Sequence, residues 1–153
     1  MIQSTHPNTS FPCIHCNKWV SHNPSMGTVH RNHCPHCLWS KHVDEVKPGD
    51  RLSFCNGSMK PIGLTFKHEG TDKYGKVKQG ELMIVHICMN CGKININRIA
   101  GDDNEHTVLT LLNISQIPAE TFSKIQLQGI KVLNKQDTEE VQRQLFGIRM
   151  IRN

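Results

Sequence analysis

At 153 residues the chain has room for one domain, or one domain with an appendage. Apolar residues make up 37% and aromatics 5%, a thin supply for a core of this length, and no stretch approaches the roughly 20 consecutive apolar residues of a membrane helix. The formal charge of +5 is gathered in the middle third, where residues 51–100 carry eight Lys/Arg against three Asp/Glu, so an anionic partner is expected, nucleic acid first.

Residues 1–12 read as a polar lead-in without the apolar run of a secretory signal, and Phe11 is placed to pack under the first cysteine turn. Next come Cys13-Ile-His-Cys16 and Cys34-Pro-His-Cys37, two CxxC pairs with 17 residues between them. A CxxC turn aims both sulfurs at one point, and two such turns complete a tetrahedron. That is the spacing of a four-thiolate zinc site, and a tetrahedron with no position left for water is structural. Paired thiols of this kind belong to a reducing compartment, so a cytoplasmic protein is expected.

Four histidines and an arginine crowd the second turn, in His30-Arg-Asn-His-Cys34 with His36 and His42. One reading makes Arg31, His33 and Lys41 donors to phosphates or bases. The other has ring N–H groups and Asn32 steadying the thiolates. Trp19 and Trp39 each follow a CxxC turn and are expected to pack against the metal site. An exposed indole would instead offer a platform for an unpaired base.

Lys47-Pro-Gly-Asp50 marks a turn, and Arg51 to Phe54 reads as a short strand ending at Cys55. Ile62 to Phe66 and Glu81 to Ile87 read as a strand pair. The connection through Gly70-Thr-Asp-Lys-Tyr-Gly75 is made basic by Lys73, Lys76 and Lys78. Cys88-Met-Asn-Cys91, followed by Gly92, repeats the CxxC turn. A second zinc there needs two more ligands. Cys55 is the one remaining thiol. For the fourth, His86 is favoured, because two residues before Cys88 in a strand it faces the same side; His68 and His106 are its rivals. Two Zn²⁺ per chain are therefore expected. Their +4 against seven thiolates lowers the formal charge to +2, so basicity by itself says little.

Lys60, Lys67, Lys93 and Arg98 complete the basic middle, and Ile94, Ile96 and Ile99 continue an extended segment. Asp102-Asp-Asn104 precedes Val108, Leu109, Leu111 and Leu112, a capped helix ended by Ser115 to Pro118. The paired acids suit a cap better than a Mg²⁺ site. Residues 119–153 hold no cysteine or histidine. Asp137-Thr-Glu-Glu140 fits a capping box with Asp137 at the cap, and Val141, Leu145 and Ile148 follow at helical spacing. This amphipathic helix is expected to dock on the domain, or to bind a partner.

Cys13-x-x-Cys16, His30-Arg-Asn-His-Cys-Pro35, Ser40-Lys-His-Val-Asp44 and Pro48-Gly-Asp-Arg51 together resemble the bacterial RNHCP-domain family. Cys55-Asn-Gly-Ser-Met59, His86-x-Cys-x-x-Cys-Gly92 and Asn97-Arg-Ile-Ala-Gly-Asp-Asp-Asn104 extend the likeness in the same order, over about residues 11 to 113. The resemblance implies zinc binding and supports His86 as a ligand of the second site. It brings no activity with it.

The expected architecture is a small α+β, zinc-stabilised domain over residues 1–116, with two knuckle- or ribbon-like sites, short antiparallel strands and peripheral helices. Residues 117–153 are expected to form a C-terminal extension. The expected function is a non-enzymatic module for structured RNA or the ribosome. Arg31, His33, Lys41, Lys60, Lys73, Lys76, Lys78, Lys93 and Arg98 would meet the nucleic acid. The alternatives are a protein-interaction adaptor using the C-terminal helix, and a metal-dependent nuclease using Asp102, Asp103 and His86 or His106.

Overall fold

The structure is a computed structural model that describes residues 10–21, 32–45, 52–67, 70–76 and 80–152. Arg31, His68, Lys78 and the 47–51 turn lie outside the described residues. β4 (Ser58–Phe66), β5 (Leu82–Cys88) and β6 (Ile94–Arg98) form an antiparallel meander, and the two-residue β3 (Ser40–Lys41) pairs with the start of β4. A separate two-stranded sheet joins β1 (Ser10–Pro12) to β2 (Trp19–Ser21). Residues 52–54, expected as a strand, form none; the strand begins at Ser58.

β5 lies between β4 and β6 and is apolar except for His86, because both of its faces are covered. Leu82 and Ile84 meet Leu38, Leu64, Ile99, Val108, Leu112, Leu133, Val141 and Leu145. Val85, on the opposite face, joins Ile94, Ile125 and Val132, with Phe122 and Ile130 packed alongside. Thus α1 (Glu105–Thr110) and α3 (Thr138–Arg152) cover one face of the sheet and α2 (Ala119–Leu127) the other.

The chain beyond residue 116 therefore fills both cores. It is also tied to β4: the Leu133 N–H donates to Leu64 O at 2.9 Å, and the Thr65 hydroxyl to Lys131 O at 2.7 Å. Asn104 caps α1, accepting from Thr107 N at 2.9 Å. The capping box ahead of α3 lies one turn before the expected one, with Asn134 at the cap and Asp137 as its partner. α2 carries no side-chain cap, since Pro118 holds that position, and the sequence offers no start signal for it.

Candidate metal centres

One backbone device recurs three times. In each CxxC turn the first cysteine's N–H donates to the carbonyl five residues on: Cys13 to Lys18 at 2.9 Å, Cys34 to Trp39 at 2.9 Å and Cys88 to Lys93 at 2.8 Å. Its own carbonyl accepts from the residue four on, which are Asn17, Leu38 and Gly92. These three residues all adopt positive φ, at 65°, 68° and 81°. Gly92 fits that conformation without cost. Leu38 is held there by complete burial in the sheet core.

At site one the ligand atoms of Cys13, Cys16, Cys34 and Cys37 lie within 4.8 Å of one another. The Cys13–Cys37 and Cys16–Cys34 sulfur separations are 3.6 and 3.7 Å. A tetrahedron with Zn–S bonds of about 2.3 Å has edges of about 3.8 Å, so the four thiols fit zinc. The N–H groups of His15 and Cys16 point at the Cys13 sulfur at 3.3 and 3.4 Å, and that of His36 at the Cys34 sulfur at 3.3 Å. Burial pushes the Cys34 and Cys37 thiols up, so a cation is needed to keep these sulfurs ionised.

At site two the fourth ligand is His42, which joins Cys55, Cys88 and Cys91 within the same 4.8 Å limit. His42 Nδ1 lies 3.4 Å from the Cys91 sulfur, and Cys55 and Cys88 are 3.6 Å apart. Nδ1, beside the Cys91 sulfur, is therefore the ring atom turned to the site, while Nε2 is buried on the other side of the ring without a hydrogen-bond partner among the described residues. The Asn90 side chain donates to the Cys55 sulfur at 3.2 Å and pulls that thiol down to about 6. Both tetrads, Cys₄ and Cys₃His, are positioned to bind two zinc ions.

The expectation for His86 is corrected. It does lie on the Cys88 side of β5, but a two-residue step along a strand covers about 6.7 Å, against a tetrahedral edge of about 3.8 Å. Its ring is committed elsewhere. Nε2 donates to Leu38 O at 2.7 Å, and Nδ1 accepts from the Asn97 amide at 2.8 Å. Complete burial lowers its pKa to about 3, so the ring is neutral. His106 is exposed and belongs to neither tetrad.

His33 is corrected in the same way. It is 3% exposed and withdrawn from any surface contact, with Nε2 held by Asp103 at 2.8 and 3.0 Å. Asp103 also accepts from Ala100 N at 2.8 Å. Asp103 is therefore neither the helix cap nor paired with Asp102 around a metal; the cap is its neighbour Asn104, whose N–H donates to Pro35 O at 2.9 Å. Asn32 donates to Asp44 at 2.9 Å. The histidines and amides around the second turn thus knit residues 32–44 to residues 86–104.

The RNHCP domain profile matches residues 8–109. The chain belongs to the RNHCP domain family. No curated protein and no solved structure matches it. The match spans all eight zinc ligands and the buried His33–Asp103 pair, and it stops before α2 and α3, which complete the core of this RNHCP protein.

The basic residues of the RNHCP protein divide into two groups. Lys93 is paired with Glu45 and Arg98 with Glu81. Lys41, Lys60, Lys67, Lys73 and Lys76 are exposed and make no ion pair among the described residues; Lys73 lies over the Tyr74 ring at 5.2 Å. Trp19, expected to pack inward, is 62% exposed on β2. Trp39 is half-buried and stacks on His15, with centroids 3.9 Å apart and rings 2° from parallel. Phe11 packs on the first turn as expected. Among the described residues no helix is long and apolar enough to cross a membrane.

Proposed function

We propose that this RNHCP protein is a non-enzymatic RNA-binding module of the cytoplasm, acting on structured RNA or the ribosome, with its two zinc sites as scaffold. The observation that carries this reading is the set of five exposed lysines, Lys41, Lys60, Lys67, Lys73 and Lys76, left without carboxylate partners among the described residues while Lys93 and Arg98 have theirs. Unpaired surface cations draw a polyanion by releasing its condensed counterions. The adaptor reading is weaker, because Val141 and Leu145 of α3 are already used in the sheet core.

Retention of the zinc-loaded chain on immobilised ribosomal RNA over a salt series tests the reading. The logarithm of affinity should fall linearly with the logarithm of salt, by about 0.7 to 0.9 per phosphate contact. Substituting Lys60, Lys73 and Lys76 by Gln should flatten that slope. Retention that ignores salt, or none at low salt, would remove the RNA reading and return the adaptor.

A further inference from the structure

Two clefts flank β3, and Lys41 lines both. The one on the β6 side, of about 370 Å³, is lined by Asp44 and Glu45 as well as Lys41 and Lys93. The one on the site-one side, of about 510 Å³, is lined by Phe11, Pro12, Ile14, Asn17, Trp39 and Lys41 among others, and no carboxylate among the described residues borders it. Its size is that of a small-ligand site, and its lining is apolar with a few polar groups.

The Trp39 indole that lines this cleft is one half of a planar stack. Its partner His15 sits inside the first CxxC turn, whereas Trp39 directly follows Leu38 of the second. The two rings thus come one from each of the two turns that supply the site-one thiols. The stack sets a flat aromatic surface at the edge of this cleft, and the exposed Lys41 is the one charged residue among the described residues that line it. The charge of the buried thiolates is met on the inside by the N–H groups of His15, Cys16 and His36.

We infer that this cleft takes an unpaired nucleobase of a single-stranded RNA, stacked against Trp39 with the strand's phosphate at Lys41. The inference rests on the RNA-binding reading and adds to it the place and the form of the ligand. A flat ring surface accepts any base through its π-face, and a lysine beside it can meet the strand's phosphate. A paired base in an A-form helix presents no face to such a cleft.

The test uses the full chain loaded with two zincs and a labelled single-stranded RNA of mixed sequence. The same RNA annealed to its complement, and free mononucleotides, serve as competitors. Trp39→Ala should weaken single-strand binding by about tenfold, Trp39→Phe should largely restore it, and Lys41→Gln should weaken it and reduce its salt dependence. In a Trp19→Phe background, saturating RNA should quench the remaining indole emission. Zinc content of each variant reports whether the fold survived, and Lys41→Gln, on an exposed side chain, keeps the test open if Trp39→Ala does not fold. RNA binding that is unchanged in both variants, with unquenched emission, would overturn the cleft and leave the RNA-binding reading standing. Equal competition by duplex would also overturn it, and mononucleotides binding as tightly as the strand would replace the strand by a free nucleotide. No RNA binding at low salt would remove both readings together.

Discussion

At site one all four thiolates come from two copies of the same turn. At site two only Cys88 and Cys91 do; Cys55 comes from the loop before β4 and His42 from the residue after β3. Site one has its own small cluster, Cys13, Val20 and Cys34 with Phe11 packed beside them, next to the β1–β2 hairpin. Site two has no cluster of its own among the described residues and is continuous with the sheet. The His42 N–H donates to Gly57 O at 2.9 Å, the Asn56 N–H to His42 O at 3.0 Å, and the Met89 N–H to Ser58 O at 2.8 Å. Site one joins the β1–β2 hairpin to a second turn whose Leu38 is anchored in the sheet core, whereas site two is a product of strand register.

The largest expected effect comes from removing one metal at a time. Zinc binding in small domains supplies about 10–16 kcal/mol of apparent free energy, comparable with the whole stability of a domain, about 5–15 kcal/mol. Cys34→Ser should lower the zinc content from two to one and abolish protection of the β1–β2 amides in hydrogen exchange, while β4, β5 and β6 stay protected. Cys88→Ser should also leave one zinc, but should open the β3–β4 pairing and the end of β5 and β6. If either variant loses protection everywhere in one step, the two sites form a single cooperative unit and the contrast fails.

The next contrast sets the histidine that binds metal against the one that resembles a ligand in sequence. His42→Ala should leave one tightly held zinc per chain. His86→Ala should retain two, yet lower stability by about 2–4 kcal/mol, because it opens a cavity in the core and orphans Leu38 O and the Asn97 amide. Zinc analysis combined with denaturant titration separates the outcomes. One zinc in His86→Ala with two in His42→Ala would reverse the assignment of the second site.

The same pair of histidines shows where the sequence was legible. Ligands supplied by CxxC turns are set by local spacing, so site one and two of the four site-two ligands were readable, and Cys55 followed as the one remaining thiol. His42 depends on pairing that places Ser40 opposite Met59 and Lys41 opposite Ser58, a relation between segments that periodicity does not encode. Its signal lay in the Ser40-Lys-His-Val-Asp44 string, where a histidine comes just after a short extended segment close to other ligands. The second half of β4 and nearly all of β5 were visible as apolar runs, and β6 as an extended segment marked by Ile94 and Ile96. β1 and β2, three residues each, were too short to show a period, and α2 lacks a polar cap and packs mainly through Phe122 and Ile125. The burial of His33 was hidden because its partner, Asp103, lies 70 residues away.

The smallest effect probes how closely register and metal are fitted at site two. A Cβ on Gly57 would lie 2.7 Å from the Asn90 Cβ and 2.8 Å from the Cys88 sulfur. Neither atom is the far end of a flexible chain: one roots the amide that donates to Cys55, and the other is a ligand. Overpacking of this kind costs about 1–3 kcal/mol, and here the strain falls on the tetrahedron. Gly57→Ala should therefore weaken one zinc by about tenfold or more against a competing chelator and leave the other unchanged. Gly147→Ala is the control, since its Cβ meets nothing within 4 Å in α3, and it should hold both zincs as tightly as the parent. If the two alanine variants release zinc alike, the close approach of Gly57 to the ligands does not define the site, and the sheet register is free to shift beneath the metal.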